Sequence, residues 1–160
     1  SSDMLRRHFL ATALGAVAFT GFPARAQYVE GDFEVIRTEA GWRQMLTDLE
    51  YRVMREGATE EPYSSPLDAN YADGIYHCRG CDLALYSSET KYDSETGWPS
   101  FTAPLENAIG TMDDRSFFIT RTECHCRRCG SHLGHIFDDG PPPTGERHCL
   151  NGVSLVFRAA

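Results

Sequence analysis

Four of the six cysteines stand as two Cys-x-x-Cys pairs, Cys78-Arg79-Gly80-Cys81 and Cys126-Arg127-Arg128-Cys129, separated by 44 residues. A tight turn carrying such a pair presents two thiolates together, and two turns complete a tetrahedral four-sulfur site with Zn–S bonds of about 2.3 Å. Gly80 and Gly130 relieve crowding where backbone N–H groups approach sulfur. Two disulfides and a redox Cys-x-x-Cys are the competing readings. Neither pair follows a strand-to-helix pattern, and neither continues into the His that c-type haem attachment requires. A closed four-thiolate site has no open coordination position. Structural zinc, or iron on the same ligands, would therefore support the fold without doing chemistry.

Cys124 and Cys149 remain. Cys149 lies in Gly145-Glu146-Arg147-His148-Cys149-Leu150-Asn151, after a proline-rich loop and before the last apolar run. Arg147 and His148 beside it would favour a thiolate, the form that attacks electrophilic sulfur or carbonyl centres. A lone cysteine beside a strand also serves as a small buried hydrophobe. His132-Leu133-Gly134-His135 begins three residues past the second Cys-x-x-Cys pair, which ties it to the metal scaffold. These histidines suit proton transfer, because four thiolates already saturate a zinc ion. The alternative makes them metal ligands or surface residues.

The elements that must position these groups follow from the apolar pattern. Trp42, Met45, Leu46, Leu49 and Val53 recur at helical spacing and predict one amphipathic helix or two short ones. Pro62 and Pro66, among Ser64, Ser65, Asp68 and Asn70, mark a loop. Past Gly74 come short β-type runs: Ile75–His77, Leu83–Tyr86, Phe117–Thr120, His135–Phe137 and Val153–Phe157. Stiff loops at Gly97-Trp98-Pro99 and Gly140–Gly145 suit the walls of a cleft. The class is mainly antiparallel β with a helical N-terminal appendage.

Composition narrows the function classes. The 160 residues are 41% hydrophobic and 24% charged, as in globular domains, with a formal charge of −8. No basic block is present, which argues against nucleic acid as the main partner. Met4 to Gln27 has the order of an export signal: Arg6-Arg7, a 14-residue run from Phe9 to Phe22, then Ala24-Arg25-Ala26. The run is shorter than the roughly 20 residues of a permanent span, so no stable membrane anchor is expected. The paired arginines resemble a twin-arginine signal and imply a bacterial periplasmic location. Residues 1–26 are thus expected to be the signal, with Ser1, Ser2 and Asp3 extraneous to it, and residues 27–160 one domain. That domain would hold 12 basic and 22 acidic residues, a formal charge of −10.

Several motifs together resemble the B-type methionine sulfoxide reductases. They are Gly97-Trp98-Pro99-Ser100-Phe101, Cys126-x-x-Cys129-x-x-His132-Leu133-Gly134-His135-Ile136-Phe137, Asp139-Gly140-Pro141-x-Pro143-Thr144-Gly145 and Arg147-His148-Cys149-Leu150-Asn151. Tyr51-Arg52-Val53-x-Arg55, Thr59-Glu60-x-Pro62 and Lys91-Tyr92-Asp93-Ser94 extend the match, which runs from about Trp42 to Phe157. The resemblance implies two antiparallel sheets with a structural zinc, and reduction of the R epimer of methionine sulfoxide, free or in proteins. It makes Cys149 the nucleophile, which becomes a sulfenic acid. It gives His132 and His135, with Asn151, the protonation of the sulfoxide oxygen. Trp98 becomes the wall that packs the S-methyl group, where the residues alone also allow a core tryptophan.

One departure stands out. The position where many members carry a resolving cysteine, just before Gly97-Trp98-Pro99, is Thr96. Cys124 then either resolves the sulfenic acid or packs as a hydrophobe while a thioredoxin-like donor reduces Cys149 directly. A monomer is expected. A zinc-stabilised binding module and a disulfide-stapled structural protein are the other classes to weigh.

Overall fold

The computed structural model describes residues 31–160, so the expected export signal lies outside the described residues. Helix formation starts where threonines supply caps. Thr38 accepts a hydrogen bond from the Gly41 N–H and opens α1 (Glu39–Met45). Leu46 is extended, and Thr47 restarts the chain as α2 (Asp48–Glu56) through a capping box with Glu50. Gly57, at φ 72°, closes α2 in the left-handed conformation that glycine adopts without penalty. The helical pattern is therefore two short helices. They are not an appendage: Trp42, Tyr51, Val53 and Met54 are buried, and α2 packs on the strand that carries the histidines. Each fully buried side chain of this size contributes about 1.5–3 kcal/mol.

Nine strands follow: β1 (Gly74–Cys78), β2 (Ala84–Ser87), β3 (Lys91–Tyr92), β4 (Ser100–Phe101), β5 (Ile109–Asp114), β6 (Arg121–Cys126), β7 (His132–Phe137), β8 (Arg147–Leu150) and β9 (Leu155–Ala159). They form two sheets, ordered β2-β1-β9 and β3-β4-β8-β7-β6-β5, in which the strand pairings are antiparallel. The mainly β, two-sheet class with short N-terminal helices is the one the sequence implied. Between the sheets Phe101 meets Tyr86 at 4.6 Å and Tyr76 at 5.0 Å between ring centroids. Leu85, Leu133, Leu150 and Leu155 complete that core.

One expected strand is absent. Phe117–Thr120 lies outside any strand, because the β5–β6 hairpin closes at the Asp114–Arg121 pair and residues 115–120 form the turn beyond it. Phe117 and Phe118 both adopt positive φ, 60° and 61°. Conversely β5, β6 and β8 were not read from the sequence. Arg-Thr-Glu-Cys-His-Cys and Arg-His-Cys-Leu carry sulfur and charge at positions where an ordinary strand shows apolar alternation.

One irregularity places the histidines. Across β6 and β7, Cys124 pairs with Gly134 but His125 pairs with His132, which leaves Leu133 as an extra residue. Strand alternation would put His132 and His135 on opposite faces; this bulge turns them to the same one. Their rings meet edge to face at 5.4 Å.

Candidate active site and candidate metal centre

The two Cys-x-x-Cys turns meet. Cys78 ends β1 in the small sheet and Cys126 ends β6 in the large one, so each sheet contributes one turn. The sulfurs of Cys78, Cys81, Cys126 and Cys129 all lie within 4.8 Å of one another. Between the turns, Cys78 and Cys129 approach at 3.6 Å and Cys81 and Cys126 at 3.4 Å. A disulfide needs about 2.05 Å, whereas arms of about 2.3 Å in a tetrahedron set sulfurs about 3.8 Å apart. All six cysteines are free thiols, and the arrangement fits one metal ion.

Surrounding donors fit a multiply anionic centre. The Gly80 N–H donates to Cys78 Sγ at 3.3 Å, and Ser131 Oγ lies 3.2 Å from Cys129 Sγ. A Cβ at Gly80 would sit 3.2 Å from Cys129 Sγ and 3.0 Å from Ser131 Oγ, so the turn leaves little room for a side chain. Arg55 of α2 reaches in, donating to the Cys129 carbonyl at 2.9 Å and Ser131 Oγ at 3.1 Å. Its guanidinium lies over the Trp42 ring at 4.2 Å. Burial lowers the Arg55 pKa to about 10, and negative charge on the sulfurs of Cys129, Cys78 and Cys126 pulls the other way.

A separate cavity of about 320 Å³ opens on the outer face of the large sheet, lined by Thr96, Trp98, Arg121, His135, Arg147, Cys149 and Asn151 among others. Cys149 sits mid-sheet, paired with Ser100 on one side and His135 on the other. Alternation along β8 puts Arg147 and Cys149 on this face and turns His148 into the core, where it bonds the Tyr86 hydroxyl at 2.8 Å. The expectation that both neighbours favour a thiolate therefore holds in geometry for Arg147 alone. Burial pushes the Cys149 thiol up; the Arg147 guanidinium and the Thr96 hydroxyl oppose that shift without cancelling it. Asp139 grips Arg147 through two bonds, 2.8 and 3.0 Å, so its charge is fixed in place.

Trp98 is half-buried in the cavity wall, and its indole N–H donates to the Glu60 carbonyl at 3.1 Å. Glu60 also donates its own N–H to Asn151 Oδ1 at 2.9 Å, while its carboxylate accepts from the N–H groups of Gly152 and Val153. A single buried residue thus braces both Trp98 and Asn151. Asn151 Nδ2 donates to the Leu133 carbonyl at 3.0 Å, leaving one of its hydrogens for the cavity.

Each histidine has a carboxylate that the sequence reading missed. Asp114 Oδ2 lies 2.7 Å from His135 Nε2, and Arg121 holds the same carboxylate at 3.0 Å. Although burial opposes it, hydrogen bonds from Ser116 and then His135 keep Asp114 well below the usual carboxylate range. Burial lowers His135, against the pull of Asp114. Glu123 bridges two rings, 2.8 Å from His132 Nδ1 and 3.0 Å from His125 Nδ1. Those bonds lower Glu123 in spite of its burial. His132 does not line the cavity; its ring stands against His135, with Nε2 buried and unbonded. Only strand pairing brings these acids to the histidines, so no local motif announces them.

Cys124 is fully buried on the core face of the large sheet, against the Tyr86 hydroxyl, and burial raises its thiol strongly. The structure therefore sets it on the opposite face from Cys149. Thr96 and Arg147 are the side chains that adjoin the Cys149 sulfur.

A two-sheet β fold with a four-cysteine centre and a cysteine-bearing cavity defines the class, and residues 46–159 match the SelR domain. The chain is 46% identical over 125 residues to the peptide methionine sulfoxide reductase MsrB of Methanosarcina barkeri, covering 78% of this chain and 88% of that protein. It is 52% identical over 120 residues to the MsrB of Pseudomonas syringae, covering 74% and 92% respectively. With that of Pseudomonas putida it shares 47% over 126 residues, covering 78% and 96%. The chain belongs to the B-type methionine sulfoxide reductase family.

Proposed function

We propose that the cavity reduces the R epimer of methionine sulfoxide, with Cys149 as the attacking sulfur. The observation that carries this reading is one shared cavity holding Cys149, Arg147, His135 and Trp98. Cys149 attacks the sulfoxide sulfur while a proton reaches the sulfoxide oxygen. The new S–S bond forms as the S–O bond breaks, and the protonated oxygen leaves as water. Water then attacks Cys149 Sγ, the S–S bond breaks, methionine leaves reduced by two electrons, and Cys149 is left as a sulfenic acid with one proton released. Arg147 favours the thiolate as it forms. His135, backed by Asp114, stands at the cavity to pass the protons that the departing oxygen needs, and His132, backed by Glu123, stands behind it against its ring. Asn151 supplies its remaining N–H, and Trp98 gives the S-methyl group an apolar wall.

A thioredoxin-like dithiol then reduces the sulfenic acid. One donor sulfur forms a mixed disulfide with Cys149 and releases water; the second displaces Cys149 and leaves the donor as its disulfide. The placement of Cys124 in the core supports direct reduction by such a donor. Cys78, Cys81, Cys126 and Cys129 would hold a zinc ion that ties the sheets together. The Arg6-Arg7 signal pattern supports export to a periplasm, where that donor must be supplied.

Separated R and S epimers of N-acetyl-methionine sulfoxide test the reading. Turnover of the R form alone is expected, with loss of at least about 10³-fold in Cys149→Ser, since a nucleophile is removed outright. One turnover without reductant should leave a single added oxygen on Cys149. Activity of Cys149→Ser would overturn the assignment, and a Cys124–Cys149 disulfide would overturn direct reduction.

A further inference from the structure

The turn beyond the Asp114–Arg121 pair carries Arg115-Ser116-Phe117-Phe118-Ile119-Thr120. Phe117, Phe118 and Ile119 are consecutive in the chain and 79%, 107% and 65% exposed. Scattered apolar residues need no explanation, but a contiguous group at a protruding tip marks a contact surface. Both phenylalanines hold positive φ, a region that asparagine or glycine enters more readily. The backbone thus departs from its preference in a way that leaves both rings outside the core.

The tip is continuous with the cavity. Arg121, which closes the hairpin, lines the cavity wall, and its guanidinium lies 5.5 Å from the Phe117 ring. Asp114, its partner, holds His135. Phe118 stands three residues along the chain from Arg121, at most about 10 Å from it. An extended peptide covers that span in about three residues.

We propose that Phe117, Phe118 and Ile119 form a docking site for polypeptide substrate, gripping apolar side chains about three residues from the oxidised methionine. This rests on the sulfoxide-reducing reading of the cavity and assigns a surface to the peptide that flanks the oxidised methionine. The chemistry fits that occupant. Methionine is mostly a core residue, and its oxidation disrupts cores, so the neighbours that become exposed with it are apolar.

Binding separates this proposal from the activity. Cys149→Ser protein is titrated with two blocked peptides carrying methionine-R-sulfoxide, one with Leu and Phe three residues away on either side and one with Ser there. The apolar peptide is expected to bind about tenfold tighter, the scale of a small apolar anchor. Adding Phe117→Asn, Phe118→Asn and Ile119→Thr should abolish that difference, since Asn tolerates the left-handed turn and keeps the hairpin. The same triple change in protein with Cys149 intact should leave turnover of N-acetyl-methionine-R-sulfoxide unchanged. Equal binding of the two peptides, or a preference that survives the triple change, would overturn the proposal. So would a loss confined to the affinity for the dithiol donor, which would assign the tip to that partner. Absence of turnover on the small substrate, with peptide preference intact, would instead sink the activity and leave the docking site standing.

Discussion

At the level of single residues, the environment of Cys149 sets the order of events. Burial raises its thiol, and the Arg147 guanidinium pulls the other way, so the thiol rests above its ordinary range of about 8.5. The sign is testable. Alkylation by iodoacetamide needs the thiolate, so its rate should climb as pH rises through and beyond that range. Arg147→Met removes the stabilising charge and should move the midpoint further up, cutting the rate at neutral pH about threefold to tenfold. A midpoint that stays put would assign the thiolate to another group. Cys149, Trp98 and His135, which the fold brings to one cavity, were legible as candidates because each belongs to a compact local motif. Glu123, Asp114 and Glu60 were not, because they meet their partners across strands or through main-chain bonds. His148 misled for a related reason. Adjacent in sequence means opposite in a strand, and His148 faces the core.

At the level of elements, the bulge in β7 does what sequence spacing alone could not. It places His132 and His135 together, and β8 runs so close behind that a Cβ at Gly134 would run into the Cys149 carbonyl oxygen. Nothing flexible stands there to yield. Gly134→Ala should therefore cost about 3 kcal/mol, the upper range for overpacking, measured by urea denaturation. It should also displace Cys149, so activity falls in the fraction that remains folded. A stable, fully active Gly134→Ala variant would mean that the two strands separate without consequence. The sheet was legible as a class, while strands β5, β6 and β8 were hidden by their polar and sulfur-bearing residues. The Phe117–Thr120 run misled in the opposite sense: apolar composition there reflects an exposed turn.

At the level of the whole molecule, the two sheets are joined by the four-cysteine centre at the ends of β1 and β6. Metal binding at such a centre contributes directly to folding. Chelation at neutral pH should lower Tm by roughly 10 °C or more, since about 1 kcal/mol moves a domain of this size by a few degrees. Elemental analysis should return one ion per chain, and an unshifted Tm after its removal would deny the centre a structural role. The spacing of the cysteines made this centre legible, but not the contribution of Arg55, which comes from a helix 23 residues ahead of Cys78. Glu60 carries a last consequence. Its N–H and carboxylate hold the 151–153 stretch while its carbonyl holds Trp98. Loops ordinarily absorb inserted residues without harm, yet a single residue added beside Glu60 would shift three attachments at once. The segment that looks most like a spacer behaves as a keystone, and variation among related chains should be sparse there.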